Sequence, residues 1–205
     1  MIAIIDYGAG NIRSVQKAFE FVGFESVITS QKEVIDNASH IVLPGVGAFG
    51  DCLKGIVNLG FVEVIHENIR KGKPFLGICV GMQLLYEKSF EFGIYEGLSY
   101  FKGSILRFPE DIVSKGMKIP HMGWNNVMFC SDHPLIKGIE NGSFFYFVHS
   151  YFAPVVESET VGICEYGLEF SAMVARDNVI ATQFHPEKSH ENGLKIIKNF
   201  GEWKC

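Results

Sequence analysis

A cysteine framed by glycines, Gly77-Ile78-Cys79-Val80-Gly81, stands where an apolar run gives way to a helical pattern. A turn of this kind between strand and helix lifts a nucleophile out of the edge of a sheet. A thiolate there is favoured by the free N–H groups and the dipole of the helix that follows. Such a nucleophile needs a base, and the base needs a group that fixes its tautomer and orientation. Gln183-Phe184-His185-Pro186-Glu187 offers both. Extended backbone would put His185 and Glu187 on one side, with Pro186 fixing a torsion between them. Acyl chemistry further needs donors for a developing oxyanion. The N–H of Val80 is one candidate, and Val46 or Gly47 of the Pro44-Gly45-Val46-Gly47 turn is the other.

Each segment has a plain structural reading when taken alone: a buried Cys between turn glycines, a surface His-Pro-Glu turn, a strand-end loop. Together they specify acyl transfer through a thioester. A cysteine peptidase or another thiol hydrolase stays open on these residues. A silent binding module of the same fold is expected to have lost Cys79, His185 or Glu187.

The elements that must position these groups alternate. Strands are predicted over Ile2–Ile5, Ser26–Thr29, His40–Leu43 (stopped by Pro44) and Pro74–Ile78. Helices are predicted from Ile12 to Gly23, from about Asp51 to Lys71, and from Cys79 to about Lys88. Beyond Gly93, strands separated by turns are predicted at Ile105–Phe108, Phe144–Val148, Val161–Cys164, Ala172–Ala175 and Ile180–Gln183, with a last helix from about Glu191 to Phe200. This is an α/β chain, one domain over residues 1–205: a mainly parallel open sheet flanked by helices, with an antiparallel extension.

Composition narrows the function. The chain has 205 residues, short of the ~250 of a (β/α)₈ barrel, and carries 18 basic against 23 acidic residues. That balance argues against a nucleic-acid partner. The apolar runs fall well short of a membrane span, and Met1–Asp6 lacks the basic start of a signal peptide. Five cysteines without a C-x-x-C pair suit reduced thiols and a cytoplasmic setting. No metal is expected, since the histidines are scattered. Gly8-Ala9-Gly10 has Arg13 where a dinucleotide fingerprint needs its third Gly, and no phosphate loop is present. No cofactor is expected.

In chain order, Asp6-Tyr-Gly-Ala-Gly-Asn11, Leu43-Pro-Gly-Val-Gly-Ala-Phe49, Gly77-Ile-Cys-Val-Gly-Met-Gln83, Pro120-His-Met-Gly-Trp-Asn125, Tyr146-Phe-Val-His-Ser-Tyr151 and Ala181-Thr-Gln-Phe-His-Pro-Glu-Lys-Ser189 resemble the class I (triad-type) glutamine amidotransferases. The resemblance is closest to the glutaminase subunits of imidazole glycerol phosphate synthases, in histidine biosynthesis. It implies that Cys79 attacks the side-chain amide of L-glutamine, that His185 shuttles the proton, and that Glu187 orients His185. It implies substrate contacts from Gln83, Glu91 and the His149-Ser150-Tyr151 backbone. Around Glu91, the sequence Ser89-Phe90-Glu91-Phe92 departs from the usual pattern.

The resemblance further implies a separate (β/α)₈ cyclase subunit that receives the ammonia, docked near Asn11, Trp124, Tyr146 and Lys188. A Gly45-Val46-Gly47 loop that withholds its donor until the partner binds substrate is expected to keep the isolated chain weakly active. Ser99-Tyr100-Phe101-Lys102-Gly103 departs from the Gly- and Pro-containing version expected of the histidine enzymes. That leaves a paralogous partner, amidating a surface-polysaccharide sugar, as the alternative acceptor.

Overall fold

The computed structural model describes residues 1–205. In chain order the elements are β1 (Ile2–Ile5), α1 (Ile12–Phe21), β2 (Ser26–Thr29), α2 (Lys32–Asn37), β3 (His40–Gly45), α3 (Phe49–Asn58), α4 (Phe61–Arg70), β4 (Phe75–Cys79) and α5 (Val80–Gln83). There follow β5 (Tyr86–Ser89), β6 (Tyr95–Glu96), β7 (Phe101–Arg107), α6 (Asp111–Ser114), β8 (His121–Asn126) and β9 (Met128–Phe129). The chain ends with β10 (Phe144–His149), β11 (Tyr151–Phe152), β12 (Thr160–Glu165), β13 (Glu169–Arg176), β14 (Val179–Thr182) and α7 (His190–Glu202).

The main sheet runs β2-β1-β3-β4-β14-β13-β12-β9. Its first five strands are mutually parallel, and the last three continue antiparallel. Every residue of β1, β4 and β14 is buried, as inner strands of a sheet covered on both faces require, while the edge strand β2 is mostly half-buried. Helix α1 turns Val15, Ala18 and Phe19 inward and packs on α7, where the Phe19 and Phe200 rings meet edge-on at 6.0 Å. Helices α2 and α3 pack on α4. Burying a side chain such as Phe19 stabilises the fold by roughly 1.5–3 kcal/mol.

The structure departs from the sequence reading in several places. The helix expected over Asp51–Lys71 is two helices, because Gly60 sits in the left-handed region at φ 67° and breaks the run. Strand β3 continues through Pro44, which pairs with Ile78 while its carbonyl accepts from the Tyr7 hydroxyl at 2.6 Å. The helix after Cys79 is a single turn; Leu84 and Leu85 leave it and β5 begins at Tyr86. Helix α2 had no counterpart in the apolar pattern. Beside the main sheet stand two small ones, β10-β8 and β11-β7-β5-β6. Val148 and His149 of β10 and Tyr151 of β11 line the cavity at Cys79, so both small sheets supply walls of the site.

Candidate active site

Cys79 ends β4 at φ 55°, ψ −112°, a strained conformation for a residue with a side chain. Glycines make the turn achievable. A Cβ on Gly81 would lie 1.8 Å from the Leu43 carbonyl, and one on Gly77 would lie 2.9 Å from the Gly81 carbonyl. The elbow is thus pressed directly against β3, which brings the Pro44–Gly47 loop beside the sulfur.

His185 follows β14, the strand hydrogen-bonded to β4. Its backbone N–H donates to the Tyr146 carbonyl and its carbonyl accepts from Ser189 Oγ. The segment after it is a 3₁₀ turn over Pro186–Lys188 rather than the extended backbone expected from sequence. The tighter turn carries Glu187 back under the ring, so that His185 Nδ1 meets Glu187 Oε1 at 2.8 Å, both side chains at most 2% exposed. The carboxylate accepts from Nδ1, which leaves Nε2 free and facing the Cys79 side; Nε2 has no other protein partner. Burial pulls the imidazole towards neutrality, yet the Cys79 sulfur and the Glu187 carboxylate outweigh it and push His185 up to about 10.

Cys79, His185, Val46, Gly47, Val80, Gln83, Glu91, Val148, His149, Ser150 and Tyr151 line one cavity of about 160 Å³. Every residue expected to act as nucleophile, base, oxyanion donor or substrate contact is therefore at this cavity, with Glu187 directly behind His185. Glu91 takes the Phe49 N–H on Oε2 at 2.6 Å, and burial raises its carboxyl. Both hydrogens of the Gln83 amide are engaged, by the Tyr151 carbonyl at 3.0 Å and Gln183 Oε1 at 2.9 Å, so its Oε1 is the atom left for a ligand.

Two residues that the sequence reading gave no role also belong here. Gln183 is fully buried, with Nε2 3.7 Å from Cys79 Sγ. His121 Nδ1 lies 3.0 Å from His149 Nε2. Burial lowers His149 to about 3 and His121 to about 4, leaving both rings neutral. Their only sequence signal was membership of the two quoted motifs.

The four residues expected at a docking face lie around the rim. Trp124 is 44% exposed and stacks on His190 at 4.8 Å. Its ring meets Tyr146 at 6.1 Å, and the Lys188 ammonium lies 5.8 Å from the Tyr146 ring. Asn11 caps α1 and lines a narrow crevice with Val46, His185 and Glu187. Met122 and Phe144, on the same outward face of β8 and β10, are 61% and 57% exposed. A wider depression of about 830 Å³ holds Cys130, Asp132 and His133. There His133 accepts the Leu135 N–H and Cys130 donates to the Thr160 carbonyl, so the two are not directed at each other.

Residues 3–202 match the family described as glutamine amidotransferase class-I. The chain is 55% identical to "Imidazole glycerol phosphate synthase subunit HisH" of Geobacter sulfurreducens, over 99% of each chain. It is 53% identical to the protein of that name in Caldanaerobacter subterraneus subsp. tengcongensis, over the whole of both. Among solved structures, PurLQS from Thermotoga maritima superposes with a TM-score of 0.75 over 98% of this chain and 97% of that one, at 22% identity, a likeness of fold. No helix is long and apolar enough to cross a membrane.

Proposed function

We infer the activity from one premise: this chain belongs to the glutamine amidotransferase class-I family. It serves as the glutaminase subunit of an imidazole glycerol phosphate synthase in histidine biosynthesis, as one domain over residues 1–205 acting in the cytoplasm. The observation that carries this reading is the single cavity in which Cys79 faces a His185–Glu187 pair, beneath Glu91, Gln83 and Tyr151.

His185 Nε2 takes the thiol proton, and Cys79 Sγ attacks the side-chain amide carbon of L-glutamine. The tetrahedral oxyanion is held by the Val80 N–H and by a donor from Val46 or Gly47. His185 Nε2 protonates the departing nitrogen, which leaves as ammonia, and a γ-glutamyl thioester remains on Cys79. His185 then takes a proton from water, the resulting hydroxide displaces the sulfur, and glutamate leaves. Glu187 holds the imidazole in the tautomer this needs and stabilises its charged form. Glu91, half-buried with Oε1 free, suits the substrate ammonium, and the Gln83 Oε1 suits the same end of the molecule.

The ammonia passes to a separate (β/α)₈ cyclase docked over Asn11, Trp124, Tyr146 and Lys188. Support for docking there is the run of exposed apolar side chains, Met122, Trp124 and Phe144, on one face of β8 and β10. The relatives sharing more than half of its residues are imidazole glycerol phosphate synthase subunits, which supports the histidine acceptor over a sugar. Glutamate release with and without the cyclase tests the reading. We expect weak hydrolysis alone, stimulation by the loaded cyclase of about 10²–10³-fold if one oxyanion donor is withheld, and no hydrolysis by Cys79→Ala. Full activity in Cys79→Ala would overturn the assignment of the nucleophile, and full activity of the isolated wild type would overturn the gating.

A further inference from the structure

Seven groups form one hydrogen-bonded line from the outer strand β8 to the sulfur of Cys79. Asn125 Nδ2 lies 3.3 Å from His121 Nε2, His121 Nδ1 lies 3.0 Å from His149 Nε2, and His149 Nδ1 lies 2.8 Å from the Tyr151 carbonyl. The same carbonyl accepts from Gln83 Nε2, which also donates to Gln183 Oε1, and Gln183 Nε2 donates to Cys79 Sγ.

The direction of every proton in this line follows from one group. A carbonyl oxygen only accepts, so His149 carries its hydrogen on Nδ1 and offers a bare Nε2. His121 must then donate from Nδ1 and accept on Nε2, where the Asn125 amide can donate. On the other branch the Tyr151 carbonyl turns the amine end of Gln83 towards itself, and that amine end in turn fixes Gln183 with its oxygen away from Cys79 and its N–H towards it. Rings hold the imidazoles in place: His121 stacks between Tyr166 at 4.0 Å and Phe147 at 4.8 Å. No carboxylate faces the pair; its neighbours are Phe108, Phe147, Tyr166 and Phe170.

We propose that Gln183 is a further catalytic residue, its amide N–H stabilising the Cys79 thiolate, and that His121 and His149 are positioning residues that keep this amide in that orientation through the Tyr151 carbonyl and Gln83. With its helix only one turn long, Cys79 has little macrodipole behind it, so a directed N–H donor matters more here than at the head of a full helix. The inference rests on the reading of Cys79 as the nucleophile.

The test uses the full chain and the rate at which iodoacetamide alkylates Cys79 at neutral pH, read by mass spectrometry on the Cys79 peptide. This keeps the exposed Cys130 and Cys205 out of the signal. Gln183→Glu puts an acceptor opposite the sulfur, and Gln183→Met removes the donor without adding charge. We expect both to slow alkylation about tenfold or more, the worth of a hydrogen bond to a charged group. His121→Leu is expected to slow it several-fold, whereas His121→Asn, whose amide N–H takes the place of Nδ1, restores it. Alkylation at the wild-type rate in both Gln183 variants would overturn the proposal. An unchanged rate in a folded His121→Leu, or no rescue by Asn, would overturn the part played by the histidines. If His121→Leu does not fold, His149→Asn replaces it: it keeps the N–H to Tyr151, its shorter side chain leaves no acceptor where Nε2 met His121, and it is expected to slow alkylation likewise, an unchanged rate counting against the relay. Hydrolysis surviving in Cys79→Ala would instead mark failure of the nucleophile assignment itself.

Discussion

Two buried histidine sites border the same cavity, one charged and the other neutral. His185 is driven up to about 10, whereas His149 and His121 are driven down to about 3 and 4. Burial pulls all three the same way. The difference lies in their partners: His185 has the Glu187 carboxylate at 2.8 Å and the Cys79 sulfur beyond, while the pair has a carbonyl, an amide and aromatic rings. An enclosed imidazole becomes a charged acid-base group only when anions repay its desolvation; otherwise it is a neutral link with a fixed tautomer. On the roles proposed above, one fold makes a proton carrier and a proton-ordering strut from the same side chain.

Breaking the charged site is expected to have the largest effect. His185→Ala should lower glutamate release by about 10⁴-fold or more, as loss of the base from a triad does, measured under cyclase stimulation. A loss under tenfold would assign the base elsewhere. Next comes Glu187→Gln, which gives His185 surroundings closer to those of His149. We expect kcat to fall by about 10²-fold or more, with KM for glutamine little changed, and the imidazole titration seen by NMR to move well below its wild-type midpoint. The sign for stability follows from the raised value. The charged His185 stabilises the fold fully below pH 6.5, and this is lost as pH rises through about 10. The stability gap between wild type and Glu187→Gln should therefore narrow over that window in urea unfolding.

On the neutral side the sign reverses. His121 and His149 are lower folded than unfolded, so the unfolded chain binds more protons below pH 6.5 and stability falls as pH drops towards 4. His121→Asn should flatten that acid limb while keeping glutamine hydrolysis close to wild type; an unaltered limb would mean that His121 is not held neutral. Away from both sites, Trp124→Ala should weaken cyclase binding by about 30-fold, the cost of a central aromatic anchor, with the melting temperature of the free chain within a few degrees of wild type. Unchanged affinity in titration calorimetry would move the docking surface off β8.

Much of this was legible in residues read one segment at a time. Ile2–Ile5 declares itself as a strand by an unbroken apolar run and Ser26–Thr29 by its β-branched residues, and Gly77, Cys79 and Gly81 declare a turn that only glycines permit. The site was legible because its chemistry sits in two short motifs that neighbouring strands bring together. What escaped was decided by tertiary contacts. Val57 and Phe61, four residues apart, keep a helical spacing across Gly60, so the break there is invisible until the left-handed turn is seen. Leu84 and Leu85 suit a helix equally well, and pairing of β5 with β7 takes over instead. His121 and His149 are 28 residues apart, and nothing local says that one ring accepts from the other. Gln183 heads a motif whose chemistry is dominated by His185, and its role depends on which way an amide points.

On the function proposed above, glutamine is opened by the sulfur of Cys79 with His185 and Glu187 behind it. The most direct measurement is peptide mass spectrometry of the chain, acid-quenched while it turns over L-glutamine with its cyclase. A glutamyl adduct is expected on the Cys79 peptide during turnover, gone once glutamine is exhausted and absent from Cys79→Ser. Brisk glutamate release with no adduct on Cys79, or an adduct on another side chain, would contradict it.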